Sequence, residues 1–195
     1  MVALVVTKGS PAVLVRRRVN LVQTFTYKFR QPYHTAEKLP LEEARAFVAR
    51  MRSEARRLAH RAMRELKTEL RDQGYSVTGF GLLLSSGRPL PAFEKILAAH
   101  SLIHAADGEL FREALLHAAA RGGLKPVAIR ERELTVSASR VLRRKPADLA
   151  QRISDLGRPL GPPWSQDEKF ASLVAWLAAL SPSSTSHSSQ AREAR

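Results

Sequence analysis

From Leu41 to Gln73 apolar residues recur in steps of three and four: Leu41, Ala44, Phe47, Val48, Met51, Ala55, Leu58, Ala59, Ala62, Leu66 and Leu70. That spacing lays one continuous stripe along a helix. Glu42 and Glu43 stand in its first turn, where the helix dipole favours acids, and Gly74 supplies a stop. Before it, Ala3 to Val6 and Ala12 to Val15 are short apolar runs on either side of Thr7-Lys8-Gly9-Ser10-Pro11, a pattern that predicts a hairpin turning at Gly9. Phe25, Tyr27 and Phe29 alternate with Thr26 and Lys28, which predicts a third strand over 24–29, and the two prolines of Arg30 to Pro40 predict a loop.

Beyond the long helix, Tyr75 to Leu84 is apolar on both faces and reads as a central strand. Helices are predicted at Phe93–Ile103 and Glu109–Arg121, a strand at Leu124–Arg130, short helices at 135–142 and 147–156, and a last helix at Trp164–Leu180. Two strands joined through a helix form a right-handed parallel crossover. The expectation is one α/β domain over residues 1–180: a mixed sheet with antiparallel N-terminal strands, parallel strands 75–84 and 124–130, and helices on both faces. Residues 181–195, SPSSTSHSSQAREAR, are polar and low in complexity, and are expected to be disordered.

Composition narrows the chemistry. An apolar share of 44% is enough for a real core. The chain has no cysteine, which excludes disulfides, thiolate metal sites and a cysteine nucleophile. No run approaches the roughly 18–20 apolar residues of a membrane span, and MVALVVTKGSP lacks the basic region of a signal peptide, so a cytoplasmic protein without membrane attachment is expected. Lys and Arg total 32 against 18 acids, a formal charge of +14. Such an excess attracts polyanions, nucleic acid above all, whether DNA or RNA. It is also what a GC-rich coding sequence produces. The clusters Arg16-Arg17-Arg18 and Arg143-Arg144-Lys145 would serve phosphate contacts, and Phe25, Tyr27, Phe29 and Tyr33, interleaved with Lys28 and Arg30, would stack bases.

Against this background the stretch Glu94 to Glu113 is an acidic island, with Glu94, Asp107, Glu109 and Glu113 against Lys95 and Arg112. His100 and His104 are four apart and Asp107 three further on, which on a helix aligns them on one face, as a transition-metal site requires. Glu109 would add an oxygen ligand. The competing reading makes Asp107 the cap of a helix starting at Gly108 and Glu109 a dipole partner. The tetrapeptide Gly-Arg-Pro-Leu occurs twice, at 87–90 and 157–160, each time ahead of a helix. Arg88 and Arg158 on such rigid turns would meet an anion if the two loops flank one cleft.

This order of elements, with Gly108-Glu109, Ala114 to Ala120, Gly123-Leu124-Lys125-Pro126-Val127, Arg132-Glu133-Leu134, and Gln166-Asp167-Glu168-Lys169 running into Ala171 to Leu180, resembles ribonuclease H-like domains and within them RuvC-type Holliday-junction resolvases. The resemblance spans roughly residues 75–180. It implies two-metal phosphodiester hydrolysis, with carboxylates holding Mg²⁺ or Mn²⁺. The chain departs from that pattern where it matters. Residues 1–29 hold no acid, with Thr7 and Lys8 at the place of the first-strand carboxylate. Ser85 and Ser86 stand at the end of the central strand, and only Asp167 with Glu168 keeps a match.

The expectation is therefore a nucleic-acid-associated protein on this scaffold, a diverged or inactive nuclease relative. The alternatives are a protein-interaction module and a metal-dependent phosphodiesterase with a relocated site, and a homodimer stays open. A surviving site would use Glu109 and Asp167 as catalytic ligands, with Asp107, Glu168, His100 and His104 completing the metal shell. Arg88 and Arg158 would hold phosphate and Lys169 would neutralise developing charge, at the carboxyl ends of the strands.

Overall fold

The computed structural model describes residues 1–85 and 88–181. Strands β1 (Val2–Thr7) and β2 (Ser10–Arg16) pair antiparallel. Lys8 and Gly9 both take positive φ, 51° and 75°, and so form the two-residue turn whose twist suits a tight hairpin. The expected third strand is instead α1 (Tyr27–Arg30), followed by α2 (Pro32–Ala36) in the expected loop. The alternation at 25–29 finds no strand edge to join. Phe29 packs near Phe47, while Phe25 and Tyr27 stay exposed, so a one-turn helix that half-buries Phe29 replaces the strand. Pro32 opens α2 at the helix position where its missing N–H costs nothing.

Helix α3 (Leu41–Asp72) buries Ala44, Phe47, Val48, Met51, Ala55, Ala59, Met63, Leu66 and Leu70, the expected stripe with Met63 added, while Leu41 stays exposed and Leu58 and Ala62 half-exposed. Residues 75–79 have no regular structure, and β3 begins only at Phe80 (Phe80–Leu84). After α4 (Phe93–Leu97), helix α5 runs unbroken from His100 to Arg121, through the Asp107-Gly108-Glu109 stretch where a new helix start was expected. Strand β4 (Pro126–Arg130) pairs parallel to β3, with Phe80 opposite Pro126 and Leu84 opposite Arg130. Helices α6 (Glu131–Leu142), α7 (Pro146–Gly157) and α8 (Gln166–Leu180) complete the chain. The architecture is mixed α/β. Among the described residues its strands form two separate two-stranded sheets rather than a single mixed one. The tail expected at 182–195 lies outside the described residues.

Two apolar cores result. In one, α3 lies along α5, with Ala55, Ala59, Ala114 and Ala118 fully buried and α2 and α4 closing the end. In the other, Leu134, Leu149, Ile153, Val174, Trp176 and Leu177 from α6, α7 and α8 pack under the hairpin residues Leu4 and Val6. The parallel pair stands between them. Phe80 faces the first core, while Leu83 and Ile129 face the second. On the α8 side β3 has glycine: a Cβ on Gly81 would sit 2.5 Å from the Val174 carbonyl oxygen, and one on Gly79 2.7 Å from that of Ala178. The helix backbone rests directly on the strand, an approach only glycine allows. No described helix is long and apolar enough to cross a membrane.

This contact is rigid because the clashing atoms are backbone. Gly81→Ala is expected to destabilise the protein by about 1–3 kcal/mol, as overpacking of a dense core does. A lowered denaturant midpoint with an unchanged slope would check it, and an unchanged midpoint would show that α8 can lift off the strand at no cost.

Candidate metal centre

Among the described residues Asp107 is the one buried acid, 7% exposed in the middle of α5. It does not cap a helix. Its Oδ1 accepts the backbone N–H of Tyr33 at 2.7 Å, and its Oδ2 lies 2.6 Å from His34 Nδ1. Burial pushes the Asp107 carboxyl above the usual carboxylate range, and the hydrogen bonds from Tyr33 and His34 act against that rise. An ionised carboxylate only accepts, so when Asp107 is ionised His34 Nδ1 carries the hydrogen, and in the neutral imidazole Nε2 is then the nitrogen with a free lone pair. This is how metal-binding imidazoles are commonly oriented, by a carboxylate on the far ring nitrogen.

His34 then meets the two histidines of the first turns of α5. Four residues apart, His100 and His104 stand on one helix face, with their Nε2 atoms 3.1 Å apart. The His34 ring centroid is 4.3 Å from that of His104 and 5.2 Å from that of His100. One donor nitrogen from each of the three lies within 4.8 Å of the others, the single such group among the described residues. A tetrahedral ion with metal–nitrogen bonds of about 2.0–2.1 Å needs its nitrogens about 3.3 Å apart. The His100–His104 pair is already near that spacing, and both of these side chains are exposed. His34 is buried while His100 and His104 face solvent, so the centre has an inner wall and an open mouth.

The sequence brought His100, His104 and Asp107 onto one face, and the structure keeps them there, with Asp107 behind the cluster as the support of His34. His34 itself was missed. It lies far upstream, in a segment whose prolines suggested a loop, and no spacing ties it to His100. Only its neighbour Pro32, a helix-opening residue, hints at order there.

The other expected ligands serve other ends. Glu109 points away from the histidines, accepting Ser85 Oγ at 2.6 Å and Arg112 Nη1 at 3.1 Å, and it lines a separate cleft. Glu168 closes a capping box with Ser165 at the start of α8. The Ser165 N–H holds its carboxyl below the usual glutamate range. Asp167 is exposed in the same turn and is not among the described residues lining the Glu109 cleft. Lys169 sits half-buried in the next.

The basic residues divide likewise. Arg16 donates to the carbonyls of Gly161 and Pro163 at 2.9 and 2.7 Å and so holds the approach to α8. Arg17 pairs with Glu69. Arg18 and Arg30 lie over the Phe25 ring, 5.6 and 4.4 Å from its centroid. Arg143, Arg144 and Lys145 are exposed at the turn between α6 and α7. Gly87 lies outside the described residues. Arg88 lines the Glu109 cleft, whereas Arg158 pairs with Asp155 at 3.0 Å and does not, so the repeated tetrapeptide does not frame one site.

No protein-family model matches the chain, and no curated protein or solved structure matches it significantly.

The capping assignment of Glu168 carries a pH signature. A carboxyl held below its ordinary value contributes stability that is present above that value and lost as pH falls through the depressed one. Glu168→Ala is therefore expected to lower the unfolding midpoint at pH 7, and the gap to the unaltered protein should close as the pH drops below the ordinary glutamate range. A gap of constant size across that range would mean that the side chain acts by packing alone.

Proposed function

We propose that this protein is a metal-dependent hydrolase with a mononuclear three-histidine centre, His34, His100 and His104. The observation that carries the proposal is the convergence of three imidazole nitrogens, with Asp107 oriented behind one of them. Three nitrogen donors suit zinc, copper, iron or nickel better than Mg²⁺ or Mn²⁺, which prefer oxygen shells, and zinc is the best fit to a compact set of three. Structural zinc sites are closed by four protein ligands, while catalytic ones keep a position for water. Bound in this way, zinc lowers the pKa of a coordinated water to about 7 and supplies a nucleophile at neutral pH. The chain's own part is to hold His34 in one tautomer through Asp107, to present His100 and His104 from one rigid helix face, and to leave the mouth open to substrate.

The surface beside the mouth favours a nucleic-acid strand as substrate. Tyr27 is 59% exposed with its ring 6.4 Å from that of His34, and Phe25, 50% exposed, lies between the guanidinium groups of Arg18 and Arg30. Exposed aromatics flanked by arginine are a stacking platform for single strands. The formal charge of +14 would draw such a polyanion in. Kinship with ribonuclease H-like proteins rests on the order of the elements and the short stretches of sequence that suggested it, and the two separate sheets give it no support.

Zinc titrated into the metal-free protein is expected to bind one to one by calorimetry. His104→Ala should abolish that binding without unfolding the protein, since the side chain is exposed. Asp107→Asn should weaken it about 10–100-fold, as loss of a supporting carboxylate does. Absence of stoichiometric binding, or binding indifferent to both changes, overturns the proposal. The zinc-loaded protein should hydrolyse bis(p-nitrophenyl) phosphate or a single-stranded oligonucleotide, and a chelator should stop it. Phe25→Ala should weaken single-strand binding at about 50 mM salt by about tenfold, the loss expected from one stacked base.

A further inference from the structure

A second face of α5 borders a cleft that the metal centre does not use. It has a volume of about 460 Å³, within the range of small-ligand pockets, and opens at the carboxyl ends of both parallel strands, where Leu84-Ser85 and Arg130 contribute to its wall. Clefts at that edge are where α/β folds bind ligands. Its charged lining is four arginines, Arg52, Arg56, Arg88 and Arg130, against two acids, Glu109 and Glu113. Both acids are occupied. Glu113 takes a bidentate pair from Arg56, and Glu109 takes Ser85 and Arg112. Among the described residues Arg52 and Arg88 have no carboxylate partner, and the Arg52 guanidinium donates to the Tyr33 hydroxyl at 3.4 Å. Between them the wall is apolar, formed by Leu84, Leu90 and Leu110.

We propose that this cleft binds a small phosphomonoester, its phosphate held by Arg52, Arg88 and the Tyr33 hydroxyl and its body laid against Leu84, Leu90 and Leu110. Two guanidinium forks without acidic partners match the three acceptor oxygens and double charge of a terminal phosphate. The apolar wall suits the body of a compact ligand better than a polymer backbone, which is charged along its whole length. The site is independent of the zinc proposal, since none of the three histidines lines the cleft.

Phenyl phosphate is the probe, titrated by calorimetry into the full chain and into its His104→Ala variant. One saturable site is expected in both, so a failed metal centre and a failed cleft give different results. Arg88→Gln and Arg52→Gln should each weaken binding about tenfold or more, the worth of one charge-assisted hydrogen bond. Arg88 is exposed, so its variant tests the site without endangering the fold, and matching thermal melts would verify this. Arg143→Gln, outside the cleft, should change nothing. Four results overturn the proposal: no binding at millimolar phenyl phosphate, equal weakening by Arg143→Gln, tighter binding of benzoate than of phenyl phosphate, or displacement of the probe by a thymidine oligonucleotide whose own affinity ignores Arg52 and Arg88.

Discussion

The Asp107 carboxylate, buried between α2 and α5, is the interaction on which the candidate centre depends. One oxygen takes the backbone N–H of Tyr33 and the other the Nδ1 of His34, so a single side chain fixes both the path and the side-chain orientation of a five-residue helix too short to hold itself. Burying a carboxylate is costly, and its raised pKa records that cost. The arrangement persists because both oxygens are satisfied, and removing a partner from such a buried pair costs about 3–5 kcal/mol.

Helix α5 organises the molecule through its faces. Ala114 and Ala118 let α3 approach closely, His100 and His104 share the stripe on which Asp107 stands, and Ala106, Glu109, Leu110 and Glu113 border the cleft. Because residues advance about 100° per step, these roles fall on adjacent faces of one rigid rod rather than on separate loops. The parallel pair β3–β4 meets α5 on one side and α8 on the other, and glycine at 79 and 81 lets α8 seat on the strand. The cleft therefore opens at the carboxyl edge of a pair braced on both faces.

Charge distributes between structural and solvent-facing uses. Arg16 is spent on carbonyls before α8, Arg17 on Glu69 and Arg56 on Glu113, so these cations tie elements together. Arg18 and Arg30 instead flank an exposed phenyl ring, and Arg88 and Arg52 face a cleft. The net charge of a basic protein is thus a poor guide to its binding residues. What separates the two groups is where their partners lie, which composition does not reveal.

The hairpin, the long helix α3, the parallel strands and the last helix were legible in the sequence because each rests on local rules: glycine at a tight turn, a three-and-four apolar stripe, short apolar runs, and an Ala- and Leu-rich stretch opened by Asp167 and Glu168. His100, His104 and Asp107 were legible as one face for the same reason. Local rules failed at 24–29, where an alternating pattern had no edge to pair with, and at Asp107-Gly108, where a helix-start signal lies inside a helix because the aspartate's hydrogen bonds go to another segment. Tertiary structure alone decided that His34 joins His100 and His104, that Asp107 supports the cluster, and that Glu109 and Glu168 serve a cleft and a cap. A side chain's chemistry is written at its own position, but its partners are set by which surfaces the chain buries together, and burial is a property of the whole fold.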